Sequence, residues 1–392
     1  MRHVGLIGLS RHYLDHASTS PARPEVIEAV TRWLGAADAG DPARVHTEGR
    51  TSRAVIEDAR DSVAALVGAR SREVVFTGSA TEAINTAVWG AVRAAPAGAA
   101  ILCAGVEHSA ARDSSLRLAP LVPIPVDRHG RIHPDAVREA GAVARHEHGA
   151  VALVHCQWGN HEVGTVHPVA EVVGAAHELD ALVHVDAAAA AGHVAVDFSG
   201  CGADLLTVSA HKLGGPAGAG ALIVRRGLRL EPLLVGGDQE RARRAGMENV
   251  AVLAGFGAAA AGLDADARDA EADRARRFTA RALTLALAVE RVEPYGDPAG
   301  RLPHIVCVGV PGVEAEAVVL GLDRAGIAVH SGSACSSESL EPSPVLAAMG
   351  VDAERSIRIS VGWSTTEEDV DAFGAAFPDV VGRLRALGGP AG

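Results

Sequence analysis

Short, continuously apolar runs recur through the middle of this chain, each followed by a stretch of helical periodicity, and that alternation limits the folds open to it. Glu73–Phe76 reads as a strand and Ala80–Val92 as a helix. Ala99–Cys103 and Ala150–His155 read as strands, Ala170–Leu179 as a helix, and Leu182–Asp186 and Leu205–Ser209 as strands. Gly220–Val224 follows closely enough to be a hairpin partner or a neighbour. Strands apolar on both faces need cover on both faces, which predicts an α/β fold with a mostly parallel central sheet. Residues 251–292 are Ala-rich with Asp, Glu and Arg at helical spacing, so they predict one long helix or two, crossing to a second domain. After Pro294 the pattern returns to short strands and helices. A length of 392 residues suits one large domain, over 26–268, and a smaller α+β domain built from 1–25 and 269–392.

Composition excludes several functions. The formal charge is −12 with no long basic run, which disfavours nucleic-acid and anionic-membrane binding. The apolar run Val4–Leu9 is glycine-broken and too short for a signal or spanning segment, so a cytoplasmic location is expected. The five cysteines (Cys103, Cys156, Cys201, Cys307 and Cys335) are odd in number, widely spaced and form no CxxC, which fits neither a disulfide framework nor a zinc cluster. His146-Glu147-His148 has no partners at metal-ligand spacing and reads as a solvated loop after a polar helix, so no metal is expected. Aromatics are only 3%, so Ala, Val and Leu must fill the core. Lys and Arg together number 36, of which one, Lys212, is lysine. Arginine cannot form an imine, so a lysine that stands alone against such a bias is a candidate for chemistry only lysine performs; genome composition accounts for the arginines.

Lys212 lies in TVSAHKLGG, just past a strand end, where ligands of open α/β sheets sit. It could form an imine with an aldehyde cofactor, with Ser209 and His211 donating to a phosphate; the competing reading is a polar loop before a Gly-rich turn. Asp186 ends a very apolar strand, where a carboxylate is costly unless paired. A cationic pyridine nitrogen would pair with it, and a helix N-cap, with Ala187 onward helical, is the alternative. Thr81 and Glu82 sit at a strand-to-helix junction suited to a phosphate, or to a capping box without ligand. His108 follows the Ala99–Cys103 strand and could stack on a planar cofactor and relay protons; a solvated loop histidine is the plainer alternative. Cys335, in SGSACSS, is surrounded by small polar residues and reads as a reactive loop thiol before an N-cap at Ser343-Pro344, whereas Cys307 in HIVCVGV reads as core. Arg358 in SIRISVG lies on a probable strand, and its fork suits a carboxylate, whether of a substrate or of an ordinary salt bridge.

Together these segments resemble the cysteine desulfurases, in the class V aminotransferase group of fold-type I pyridoxal-phosphate (PLP) enzymes. The likeness runs from YLDHASTSPARPEV to VGWSTTEEDVDAF and includes HTEGR, EHSA, NHEVGT, SAHK, GGDQERARRAGMEN and SGSACSS. The resemblance implies that Lys212 holds PLP and moves the Cα proton, Asp186 pairs with the pyridine nitrogen, and His108 stacks on the ring and assists proton transfer. It assigns the phosphate to Ala80 (backbone), Thr81, Ser209 and His211, and the substrate carboxylate to Arg358. Cys335, on a long loop, would take sulfur from L-cysteine and pass it to a scaffold or carrier protein, leaving alanine. A homodimer is implied as well. Three positions depart from the family pattern: Ala189 for a glutamine, His161 for an asparagine that helps hold cofactor or substrate, and Met247 for a threonine. These departures predict weaker PLP binding, or a rearranged contact in which His161 replaces the missing amide. Another C–S or C–Se lyase on this fold, needing no loop cysteine, and a non-catalytic subunit that docks partners are the competing functions.

Overall fold

The computed structural model describes residues 11–331 and 342–387. The chain opens with β1 (His12–Tyr13), α1 (Pro24–Leu34), α2 (Thr47–Leu66), β2 (Val74–Thr77), α3 (Ala80–Ala94), β3 (Ala100–Ala104), α4 (Ser109–Leu118), β4 (Leu121–Ile124) and α5 (Pro134–His148). It continues with β5 (Val151–Gln157), α6 (Val169–His177), β6 (Leu182–Asp186), α7 (Phe198–Cys201), β7 (Leu205–Ser209), β8 (Gly220–Val224), the single turn α8 (Gln239–Ala242), α9 (Val250–Ala261) and α10 (Ala265–Leu287). The remainder is β9 (Glu293–Tyr295), β10 (Ile305–Gly309), α11 (Ala315–Arg324), β11 (Ile327–Ala328), β12 (His330–Ser331), α12 (Pro344–Met349), β13 (Ser356–Ser360) and α13 (Glu367–Leu387).

Seven strands form the main sheet in the order β2-β8-β7-β6-β5-β3-β4. Only β8 runs against its neighbours; every other pairing is parallel. Successive residues supply opposite faces, so Val75, Leu205 and Leu222 join α3 in one core while Val74, Leu206 and Ile223 join α2 and α9 in another. The predicted α/β architecture with a mostly parallel sheet is the one observed. A second sheet, β12-β13-β10-β9, is antiparallel. Its core takes Leu14 together with residues from Ala275 to Val381, with Phe373 stacked on Phe377 at 5.1 Å.

The Ala-rich region is two helices, α9 and α10, the second capped by Asp264, which accepts from the Ala267 N–H at 2.9 Å. Small residues let α9 approach its neighbours closely: a Cβ at Gly257 would lie 2.6 Å from Ala59 Cα, and one at Gly255 2.7 Å from Val30. This is how a chain poor in aromatics closes its core. Two readings need correction. Residues 187–190 form turns rather than a helix, because Ala190 and Ala191 N–H groups bond back to Ala187 O and the chain bends away. His146–His148 lie in the last turn of α5, which runs on until Gly149 at φ +78, and not in a loop. Among the described residues no cluster of three metal-ligating groups occurs.

Candidate active site

The parallel strands deliver their last residues to one edge of the sheet, and a cavity of about 240 Å³ opens there. Gln157 comes from β5, Asp186 from β6 and Ser209 from β7; Ala80 and Thr81 come from the first turn of α3, and His108 from the N-terminus of α4. His161, His211, Lys212 and Ala189 complete the walls. Nine of the residues singled out in the sequence therefore meet in one place. Arg358 does not line the cavity but lies behind it, donating to His161 O at 2.9 Å, to Asp15 Oδ1 at 2.9 Å and to Ser18 Oγ at 2.6 Å. Cys335 lies outside the described residues.

Local physics fixes each group. Ser79 caps α3, accepting from the Glu82 N–H at 3.1 Å, and Glu82 in turn accepts from the Gly78 N–H at 2.8 Å and pairs with Arg244 at 2.8 Å. The cap leaves Ala80 and Thr81 at the positive end of a 15-residue helix, facing the cavity. A Cβ at Gly220 would sit 2.5 Å from Ser79 C and 2.7 Å from Ala80 N, so only glycine lets β8 pass under this turn. Ser209 Oγ is buried and has no partner among the described residues. Lys212 Nζ donates to Ala17 O, and its backbone carbonyl faces His193 Nε2 at 3.3 Å.

Asp186 is held by the Ala188 N–H at 2.9 Å. Burial raises its pKa above the ordinary carboxylate range, opposed by that N–H, His108 and Lys212. A cationic group beside it would relieve the burial penalty. Burial lowers His108, helped by Lys212 and Arg112 and opposed by Asp186. His211 is pushed down to about 4, first by burial and then by Lys212. The His108 and His161 rings meet edge to face at 5.2 Å.

An amine, a buried carboxylate and a hydroxyl without a partner among the described residues line one cavity with a helix N-terminus, and together they make a donor set that suits a planar, cationic, phosphorylated aldehyde. The residues present thus fit PLP: Lys212 for the aldehyde, Asp186 for the ring nitrogen, and Ala80, Thr81, Ser209 and His211 for the phosphate.

Sequence reading missed Ser18, Ser79 and Gln157. Gln157 carried a signal, a polar residue ending a mostly apolar strand, as Asp186 does. Glu107 was also missed. Its Oε1 accepts from the Gln157 N–H at 2.8 Å while Oε2 has no partner, and burial, with Asp186 nearby, pushes its carboxyl up to about 8.

Comparison with known proteins gives the family. The Aminotransferase class-V family model matches residues 12–373. The chain is 38% identical to "Cysteine desulfurase IscS 1" of Archaeoglobus fulgidus, over 96% of this chain and 98% of the relative. It is 37% identical to "Cysteine desulfurase IscS" of Dictyoglomus turgidum, over 96% and 95%. Among solved structures, a NifS-like protein from Rickettsia africae superposes with a TM-score of 0.85 at 28% identity, covering 94% of this chain and 99% of the other. SspA in complex with cysteine superposes with a TM-score of 0.77 at 26% identity, covering 91% and 100%. A match spanning nearly the whole chain shows that the chain belongs to the Aminotransferase class-V family.

Proposed function

We propose that this protein is a PLP-dependent cysteine desulfurase that converts L-cysteine to L-alanine and leaves the sulfur as a persulfide on Cys335. The observation that carries the reading is the cavity that the chain's one lysine shares with a buried aspartate, in a protein that matches relatives named cysteine desulfurases over nearly their whole length. When bound, PLP supplies an electron sink that acidifies the Cα proton and loosens the Cβ–S bond. Lys212 anchors the cofactor and moves the Cα proton. Asp186 keeps the ring nitrogen protonated, and His108 covers the ring. Arg358 holds the substrate carboxylate, which would take the place now filled by Asp15 or Ser18. The Cβ–S bond breaks, an S–S bond forms on Cys335, and Cβ gains a proton, so the reaction needs no outside oxidant.

The departures at Ala189, His161 and Met247 bear on cofactor affinity. Ala189 and His161 both line the cavity, whereas Met247 is 65% exposed. Exposed Leu234, Val235 and Met247 offer a surface that a second copy would cover, in keeping with a homodimer. A scaffold or carrier protein would accept the sulfur.

The test is release of alanine and sulfide from L-cysteine by the purified protein with PLP and a thiol reductant. Matched alanine and sulfide, lost in Lys212→Ala and Cys335→Ser, are expected. Full-rate release by Cys335→Ser would replace the persulfide route with a direct C–S lyase.

A further inference from the structure

Two carboxyl groups are buried at the edge of the sheet where the cavity opens, and only one of them lines it. Asp186 ends β6 and reaches the cavity, its Oδ1 accepting the Ala188 N–H at 2.9 Å. Glu107, in the turn between β3 and α4, is 1% exposed and is not part of the cavity wall. The backbone brings the two together. Glu107 Oε1 accepts the Gln157 N–H at 2.8 Å, and Gln157 stands opposite Asp186 in the register of β5 with β6. The next N–H, of Trp158, bonds Asp186 O at 2.8 Å.

Their surroundings are unequal. Asp186 shares the cavity with Lys212 and His108. Glu107 has one N–H on Oε1, while its Oε2 is buried without a partner among the described residues. Were Glu107 ionised, that oxygen would hold buried charge with no donor to meet it. A proton on Oε2 makes the group neutral and leaves Oε1 free to accept from Gln157 as before. Neighbouring buried carboxylates also resist a double negative charge, because each strengthens the other's hold on a proton. The geometry therefore divides the pair, with the proton on Glu107 and the charge on Asp186.

We propose that Glu107 keeps the proton of this pair at neutral pH, so that Asp186 is its one anion and that charge is reserved for the cationic ring nitrogen of the cofactor. Glu107 is then a positioning residue that acts through Asp186. The inference rests on the reading of the cavity as a PLP site. An ionised Glu107 would raise the proton affinity of Asp186, and a protonated Asp186 offers the ring nitrogen no charge.

The groups around the pair agree with this division. Burial first, then Asp186, push Glu107 up to about 8, against the Gln157 N–H and Arg112 of α4. Burial raises Asp186 as well, but the Ala188 N–H, His108 and Lys212 all draw it back toward its charged form. Cys103 of β3 and Cys156 of β5 are kept as neutral thiols, by burial first and then by Glu107, so neither adds a charge to the pair.

The test follows the infrared carboxylic C=O absorption of the full-length protein on either side of pH 8, with and without PLP. Wild type, Glu107→Gln and Asp186→Asn are compared, each checked for folding by circular dichroism. Expected in the cofactor-free wild type is a component that disappears with a midpoint near pH 8, distinct from the one near 7 that Glu162 supplies. Glu107→Gln should lack that component. Asp186→Asn should keep it with the midpoint lowered by ~1 unit, because the neighbouring like charge is gone. PLP added to wild type should move the midpoint in the same direction, because the ring cation offsets the charge of Asp186. Wild-type protein that binds PLP but shows no component near pH 8, or one whose midpoint PLP does not move, overturns this inference alone and requires no variant to fold. Survival of the component in Glu107→Gln overturns it equally. Protein whose visible absorbance shows no PLP bound overturns it together with the reading of the cavity.

Discussion

Arg60 and Glu240 stand 180 residues apart in sequence, and each side chain is 1% exposed. The guanidinium bonds Glu240 Oε2 at 2.6 Å and Oε1 at 2.9 Å, donates to Val74 O at 3.0 Å, and lies 4.8 Å over the Phe76 ring. Glu240 Oε2 also accepts the Phe76 N–H at 2.8 Å. The pair holds a left-handed turn in which Glu240, Arg241 and Ala242 have φ of +49, +61 and +60, a conformation costing non-glycine residues ~1–2 kcal/mol each. Glu240→Gln would strand a buried guanidinium, whose remaining carboxylate neighbour is the half-exposed Glu57, at a cost of about 3–5 kcal/mol. Arg60→Met strands the carboxylate with only the Phe76 N–H and should cost a similar amount. The double variant removes both charges and should cost less than the sum by at least ~2 kcal/mol. Urea unfolding followed by circular dichroism at fixed cofactor concentration measures all three. Because Arg244, four residues past Glu240, braces Glu82 at the start of α3, the single variants should also bind PLP more weakly. Costs that add to within ~0.5 kcal/mol would refute a coupled buried pair.

Ser209→Ala should leave the cofactor-free protein as stable as before, since the hydroxyl has no partner there, and raise the PLP dissociation constant by ~2–10-fold. Equal affinities in a cofactor titration would remove Ser209 from the phosphate site. Burial pushes His155 and His167 down to about 3, and His16 and His193 to about 4, from an ordinary 6.5. The unfolded chain therefore takes up protons that the folded one refuses. Stability should be full above pH 6.5 and fall from there toward 4; a urea midpoint that stays flat over that range would contradict the burial of these rings.

Much of the large sheet was legible because its strands are short and mostly apolar: Leu182–Asp186, Leu205–Ser209 and Gly220–Val224 stand where the sequence predicts them. β4 escaped because Pro123 argues against a strand, yet β4 is an edge strand, where a missing N–H is tolerated. α2 escaped because its exposed face is heavily charged; its buried stripe of Ile56, Ala59 and Val63 shows only against α9. The left-handed turn at 240–242 has no glycine to announce it, and its cause, Arg60, is remote. Asp186 and Lys212 were visible through residue type and strand position, whereas the burial of Glu107 and Glu162, two acids outside any strand, shows only in the fold.

The glycines of α9 have a bearing on Lys212. A Cβ at Gly255 would lie 3.2 Å from Pro216, just beyond the lysine turn, and one at Gly257 would lie 2.6 Å from Ala59 of α2. The lysine is thus seated on a layer whose thickness is set by hydrogen atoms at positions with no room for a methyl group. The spacing between the Lys212 amine and its scaffold is therefore written in residues that carry no chemistry. Growth of one carbon in that layer would reach the cavity as a displacement, with every cavity-lining side chain still in the sequence.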